Sequence, residues 1–388
     1  MKHAVVLGAG MVGSLMAVDM ADRAPNRGGF RVTSIDARRE PLDAVRDRAR
    51  RHGCEVATRQ ADLSSATELK KAIADADIVL GALSSRIAFN ALRTIIQAGK
   101  PFCDISFMGE DATELDGLAK KHGACCVVDC GVAPGMSHML AAYGAHQLDT
   151  CDSVEIYVGG LPVERRWPFQ YKAAFSPADV VEEYTRPTRL VENGREVVRP
   201  ALSEPELMDF NGVGTLEAFN TDGLRSLVKT LAAKCPNMKE KTLRYPGHIE
   251  LMRVLREIGL FGEEPIKLST SAVIPRELIA KLMFPQWTYQ PGEADLTVMR
   301  VLAKGRRAGK PTTLRWDVLD HYDPPTGATS MARTTAFPCA IVARMIADGR
   351  FREPGVHPPE HVALVPGLLD SILTEHTSRG IHYIASHD

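Results

Sequence analysis

The first 36 residues constrain this chain more than any other stretch. An apolar run, Ala4-Val5-Val6-Leu7, meets Gly8-Ala9-Gly10-Met11-Val12-Gly13, and Met11 to Ala24 is rich in Ala, Met, Val and Leu at helical spacing. A short apolar run closed by a glycine turn reads as a buried parallel strand. Between such a strand and a helix, the glycines of GxGxxG have separate tasks. The first permits a tight turn, the second lets a pyrophosphate approach the backbone, and the third lets helix and strand pack closely. The helix N-terminus then presents free N–H groups and partial positive charge to the anion.

A second strand, Arg31 to Ile35, runs into Asp36. An acidic side chain there accepts hydrogen bonds from the adenosine ribose hydroxyls. A carboxylate also repels a 2′-phosphate, so the expected cofactor is NAD, although Arg38 and Arg39 follow at once and soften that repulsion. Further on, a polar helix is expected over 40–52, a strand at 55–57, a helix near 65–75 and a strand at 77–81. A helix over 87–98 and strands at 101–105 and 125–129 continue the alternation. This rhythm predicts an α/β fold, a Rossmann-type doubly wound parallel sheet. Ligands of such sheets lie beyond the carboxyl ends of the strands. That rule adds Asp62, Leu63, Leu83, Ser84 and Val132 to Gly8, Gly10, Met11, Val12, Gly13 and Asp36 as cofactor-binding candidates. It also points Asp104-Ile105-Ser106-Phe107-Met108 and the turn Asp129–Gly135 toward the nicotinamide, though the turn reads equally well as a domain crossover.

After about residue 150 the pattern changes. Ser153–Val158 alternates like a half-exposed strand. Asn193-Gly194 sits between two β-like runs over 189–198, a strong hairpin signal. A second hairpin is expected between 296–302 and 312–319, with the basic loop 304–310 as a solvated tip. These strands predict a second α+β domain with a mixed sheet. The expected boundaries are 1–130 for the dinucleotide-binding domain, completed by about 328–388, and 131–327 for a substrate and oligomerisation domain.

Composition excludes several classes. Hydrophobic residues make up 45% and charged residues 24%, which argues against disorder. Lys and Arg number 47 against 48 Asp and Glu, so the net charge of -1 offers no general attraction to nucleic acid or a membrane surface. No apolar stretch approaches the roughly 18–20 residues that span a bilayer. The eight cysteines form no CxxC pair or spaced quartet and read as buried reduced thiols, consistent with a cytoplasmic protein. HExxH, GxSxG and P-loop patterns are lacking, and Pro358-Pro359 break any helical face between His357 and His361. No metal is therefore expected.

Two polar clusters in the second half are candidates for a small amino-acid or amine substrate: Phe219–Arg225 and Thr242–His248, both read as turn-rich. Arg225 or Arg244 suits a carboxylate, Asp222 a substrate ammonium, and His248 a proton shuttle near neutral pH. An Asp-Gly turn, a surface salt bridge and a capping histidine remain the alternatives for these same residues.

The opening Val5–Gly13, the turn Gly131-Val132-Ala133-Pro134-Gly135 and Thr242–His248 resemble the saccharopine dehydrogenase superfamily over nearly the whole chain. Val158–Pro162, Glu182–Pro187, Phe219–Arg225 and Ser330–Pro338 most resemble its L-lysine 6-dehydrogenase branch. The resemblance implies NAD-dependent oxidative deamination of the lysine 6-amino group, giving allysine, which cyclises to piperideine-6-carboxylate. It implies that Ser106, Phe107 and Met108 line the substrate and that Arg225 or Arg244, with Tyr245, holds a carboxylate. Saccharopine reductases usually carry an Asp where this chain has Ala133, a departure that weakens saccharopine as substrate. The alternatives are a saccharopine or carboxynorspermidine dehydrogenase or reductase, and a non-catalytic NAD-binding sensor. A homodimer or higher homo-oligomer is expected.

Overall fold

The computed structural model describes residues 1–24 and 27–388. Two compact units account for them. The first contains Met1–Leu140, Asp323–Ala328 and Ala332–His382, and the second Ala141–Tyr322, Thr329–Met331 and Tyr383–Asp388.

The first unit is built on seven parallel strands. Their order is Gly355–His357, Cys125–Val127, Phe102–Asp104, Ile78–Gly81, His3–Leu7, Arg31–Asp36 and Ala57–Gln60. The doubly wound parallel sheet read from the sequence is thus present. Chain order reverses on either side of His3–Leu7, whose neighbours are Arg31–Asp36 and Ile78–Gly81. Such a reversal opens a crevice at the carboxyl ends of the strands. The edge strand lies at 57–60 rather than 55–57, and its residues, Ala-Thr-Arg-Gln, are mostly exposed. With a partner on one side only and little to bury, it carries no apolar signature. The opposite edge, Gly355–His357, comes from the C-terminal third of the chain.

Helix Met11–Ala21 follows the glycine turn and is buried almost all round. Its one buried charge, Asp19, is gripped by Arg379 at 2.7 and 3.1 Å and approached by Arg344 at 3.4 Å. Burial disfavours that carboxylate and the arginines more than compensate, so its pKa is lowered. The late segments therefore close over this helix through a cation-rich contact within the same unit.

The second unit carries a nine-stranded mixed sheet. Its main path runs Glu206–Phe210, Gly214–Asn220, Met238–Arg244, Thr150–Pro162, Asp295–Arg307, Lys310–His321 and Ile384–His387, with Thr188–Glu192 and Arg195–Arg199 branching from Met238. Only Met238–Arg244 beside Thr150–Pro162 is a parallel pair. The Asn193-Gly194 hairpin forms as the sequence indicates, with φ of 51° and 76°. The second hairpin does not have the loop expected at 304–310. Its strands run on to Arg307 and from Lys310, and the turn is Ala308-Gly309 with φ of 48° and 76°. Two positive φ values suit the twist of a tight hairpin, so the basic residues sit on paired strands.

The two clusters read as turn-rich each begin on a strand end and continue into a turn or loop. Phe219 and Asn220 end Gly214–Asn220, and Thr242 to Arg244 end Met238–Arg244, while His248 begins helix His248–Glu257. No helix among the described residues is long and apolar enough to cross a membrane.

Candidate active site

In the first unit the three glycines divide their work as the motif requires. Gly8 has φ of 94°, and a Cβ on it would stand 2.2 Å from the Ala82 carbonyl oxygen. A Cβ on Gly13 would stand 2.1 Å from the Gly8 oxygen, so helix and turn touch there. A Cβ on Gly10 would meet nothing within 4 Å, and Met11 beside it is 41% exposed. Open space beside Gly10 and free N–H groups at the helix start fit a bound pyrophosphate. Asp36 reaches back to this turn: Oδ2 accepts from the Ala9 N–H at 2.9 Å and Oδ1 from the Arg38 N–H at 2.9 Å. The backbone thus fixes the carboxylate beside the turn.

Other strand ends contribute unequally. Asp62 accepts from the Ser64 N–H and hydroxyl at 2.9 and 2.7 Å, while Leu63 is buried in the core. Ser84 precedes helix Ser85–Gln97 without capping it by its side chain, and Val132 is buried in the crossover turn. The Leu83 N–H donates to the Ser106 hydroxyl at 2.9 Å, and that hydroxyl donates to Asp104 Oδ1 at 2.8 Å. Asp104 Oδ2 is buried without a hydrogen-bond partner among the described residues. Burial pushes the Asp104 carboxyl up to about 8, and nearby Asp129 adds to the rise. A carboxyl group of raised pKa thus stands at the carboxyl end of a sheet strand. Next to it, Phe107 is half-buried and Met108 fully buried.

In the second unit a different arrangement surrounds Arg244. Its Nε donates to the Tyr184 hydroxyl at 3.1 Å and Nη1 to the Leu243 carbonyl at 3.0 Å. Nη2 lies 3.3 Å from the Glu183 carboxylate and 3.4 Å from the Tyr171 hydroxyl. The guanidinium also lies 4.5 Å above the Tyr171 ring. His248 places Nδ1 2.8 Å from the Phe169 carbonyl and Nε2 2.9 Å from the Tyr184 hydroxyl. Nδ1 therefore donates, Nε2 accepts, and the ring is neutral; burial, aided by Arg244, lowers its pKa to about 3. Nearby, Glu240 accepts from the Thr221 hydroxyl at 2.7 Å, and burial pushes it up to about 8. Burial likewise holds Glu183 at about 7 despite Arg244.

Two family models cover most of the chain. Residues 4–127 match the saccharopine dehydrogenase NADP binding domain, and residues 131–381 the saccharopine dehydrogenase C-terminal domain. The chain belongs to the saccharopine dehydrogenase family. It is 23% identical over 389 residues to a Schizosaccharomyces pombe relative, saccharopine dehydrogenase (NADP(+), L-glutamate-forming), covering 81% of this chain and 86% of the relative. It is 24% identical over 265 residues to carboxynorspermidine synthase of Vibrio cholerae, covering 64% of this chain and 61% of that protein. Apo saccharopine dehydrogenase (L-Glu forming) from Saccharomyces cerevisiae has the same fold, with a TM-score of 0.79, 18% identity and 100% of both chains covered.

In this saccharopine dehydrogenase-family chain, sequence reasoning placed the glycine loop correctly as a strand-to-helix turn and misjudged the surroundings of the polar residues. His248 has both ring nitrogens engaged, so it is ill suited to shuttle protons. Asp222 is held by Arg189 through Nε and Nη2 at 2.9 Å each, with the Arg189 backbone N–H at 3.2 Å. Tyr245 donates to the Pro162 carbonyl at 2.9 Å. Arg225 is half-buried in left-handed backbone, φ 47°. Asp104 opens the stretch Asp104–Met108 that the strand-end rule points toward the nicotinamide, but the sequence gives it no role of its own. Its signal, a carboxylate ending an apolar strand two residues before a serine, gains meaning only once burial is known. Glu240 and Tyr171 carry no local pattern that marks them, and Glu183 and Tyr184 lie within Glu182–Pro187 with nothing there to show that they meet Arg244.

Proposed function

We propose that this chain is an NAD-linked dehydrogenase that oxidises the 6-amino carbon of L-lysine. The observation that carries the redox half is the open backbone beside Gly10 with Asp36 fixed at its lip. Gly8, Gly10, Met11, Val12 and Gly13 would hold the pyrophosphate and Asp36 the adenosine ribose, with its negative charge disfavouring a 2′-phosphate. Bound NAD supplies the hydride acceptor. Resemblance to the lysine 6-dehydrogenase strings and Ala133 in the crossover turn support lysine as the amine.

The amine can lose hydride only with a free lone pair, and the free lysine ammonium keeps its proton up to about pH 10.4. Asp104 is the side chain suited to take that proton, aided by Ser106, because its carboxyl ionises near neutrality. Oxidation then yields an imine, which water converts to the aldehyde and ammonia. As a carboxylate above about pH 8, Asp104 accepts a proton and favours oxidation; as the acid below it, it favours imine reduction. A second reading, with saccharopine or carboxynorspermidine as the amine, draws support from the names of the two relatives.

Absorbance of the reduced nicotinamide, followed with L-lysine, saccharopine and carboxynorspermidine in turn, tests this. L-lysine with NAD should give the highest efficiency, and Asp36→Ser should raise the relative use of NADP. A wild type that reduces NADP as well as NAD refutes the role given to Asp36. Turnover of saccharopine alone selects the second reading, and no turnover of any amine leaves a binding protein.

A further inference from the structure

All eight cysteines are free, and two of them meet inside the second unit. Val154 faces Met238 in the parallel pair of strands Thr150–Pro162 and Met238–Arg244. Carried back by three residues on each side, that register sets Cys151 beside Cys235. Hydrogen bonds bracket the pair. On one side the Lys234 ammonium donates to the Leu148 carbonyl at 3.1 Å. On the other, the Asn237 side-chain amide donates to the Asp152 carbonyl and the Val154 N–H to the Asn237 carbonyl, both at 2.9 Å. The two thiols hydrogen-bond each other. Both residues are buried, but Thr150, Asp152 and Ala233 around them are exposed, so the pair lies just beneath the surface.

We infer that Cys151 and Cys235 form an oxidation-sensitive pair that a peroxide closes to a disulfide. Neighbouring strands stand about 4.8 Å apart, within the roughly 4.4–6.8 Å that a disulfide spans between Cα atoms. Cys235 is the attacking sulfur. Its hydrogen bond with Cys151 lowers its own pKa and raises that of Cys151, while burial raises every other cysteine. The thiolate is the reactive form. Cys103 in the first unit also meets Cys130 and Cys339, but burial pushes all three up, so that group supplies no thiolate. The Cys235 thiolate attacks one peroxide oxygen, the O–O bond breaks and water leaves, giving a sulfenic acid. The Cys151 sulfur then attacks the Cys235 sulfur, the S–O bond breaks, and a second water leaves with the last thiol proton. Two thiols are oxidised by two electrons in all, and one hydrogen peroxide is reduced to two waters. The bridge closes the loop 152–234, which holds Glu183, Tyr184 and Asp222. A cross-link around a long loop stabilises the fold by restricting the unfolded chain.

The test treats the whole chain with hydrogen peroxide, blocks the remaining thiols after unfolding, and maps the peptides by mass spectrometry without reductant. The expected product is a Cys151–Cys235 linked peptide, two hydrogens lighter than its parts and split by dithiothreitol. Cys103, Cys130 and Cys339 should remain thiols. The melting temperature should rise by several degrees on oxidation and return on reduction. Cys151→Ser should lose both the link and the rise, and its Cys235 should be trapped by dimedone as the sulfenic acid. Cys235→Ser should show no trapping at Cys151. The wild-type chain is decisive without either variant. A pair that stays reduced once the partly exposed Cys54 is oxidised overturns the inference. So does Cys235 that passes to the sulfinic acid with no link to Cys151.

Discussion

Around Gly10 a side chain would meet nothing within 4 Å, whereas around Arg244 every guanidinium nitrogen is already bonded. The two units thus prepare for chemistry in opposite ways. The first offers backbone N–H groups and emptiness, held by close contacts at Gly8 and Gly13. The second surrounds Arg244 with polar side chains and a backbone carbonyl that take up each of its nitrogens. A site made of backbone is sensitive to one added carbon and indifferent to many side-chain changes. A network of buried side chains is sensitive to each of its members, because removing one leaves the others buried and unpaired.

The largest test of this contrast is Arg244→Met. It leaves Glu183, Tyr171 and Tyr184 without their cation, and loss of one partner from a buried charged pair costs about 3–5 kcal/mol. Chemical denaturation should show that loss. A stability change near zero would mean that the network is loosely held and available to ligand.

Gly13→Ala and Gly10→Ala sharpen the other side. The first drives a Cβ to 2.1 Å from the Gly8 oxygen, an overpacking that costs about 1–3 kcal/mol. The second should leave the melting temperature unchanged and reduce dinucleotide affinity by about tenfold or more, a difference of about 1.4 kcal/mol. Equal destabilisation by both would show that Gly10 serves packing rather than ligand approach. The binding arm is read by NADH fluorescence titration.

The smallest effect concerns pH. Glu240 is held at about 8 in the folded chain against an ordinary value of 4.5. The folded state therefore keeps a proton that the unfolded state releases. That contribution to stability is complete below about pH 4.5 and fades as pH rises toward 8. Glu240→Gln cannot release a proton, so its melting temperature should fall less than wild type between pH 5 and pH 8. Parallel curves for the two proteins would place the proton elsewhere in the cluster.

Much of the first unit was legible because its signals are local. Val5, Gly8, Gly10, Gly13 and Asp36 lie within one strand, turn, helix and strand, and each has a task that the backbone dictates at short range. The edge strand Ala57–Gln60 was misplaced for the converse reason, since a mostly exposed strand has no apolar pattern to read. The strand Met238–Arg244 escaped notice because Met-Lys-Glu-Lys-Thr-Leu-Arg looks like a solvated segment. It is buried on both faces only because Thr221 meets Glu240, Glu204 and Glu206 meet Lys241, and Tyr184 with Glu183 meets Arg244.

The sequence by itself determined the parallel sheet, the glycine turn and the acidic side chain beside it. Those depend on glycine sterics, strand periodicity and helix-end electrostatics, all set by neighbours in the chain. Only the tertiary structure decided which ionisable groups are free. It occupied both nitrogens of His248, gave Asp222 to Arg189 and left Asp104 Oδ2 and the Tyr289 hydroxyl without partners among the described residues. The physical reason is that a polar group's state depends on what burial brings against it, and those partners come from segments dozens of residues away.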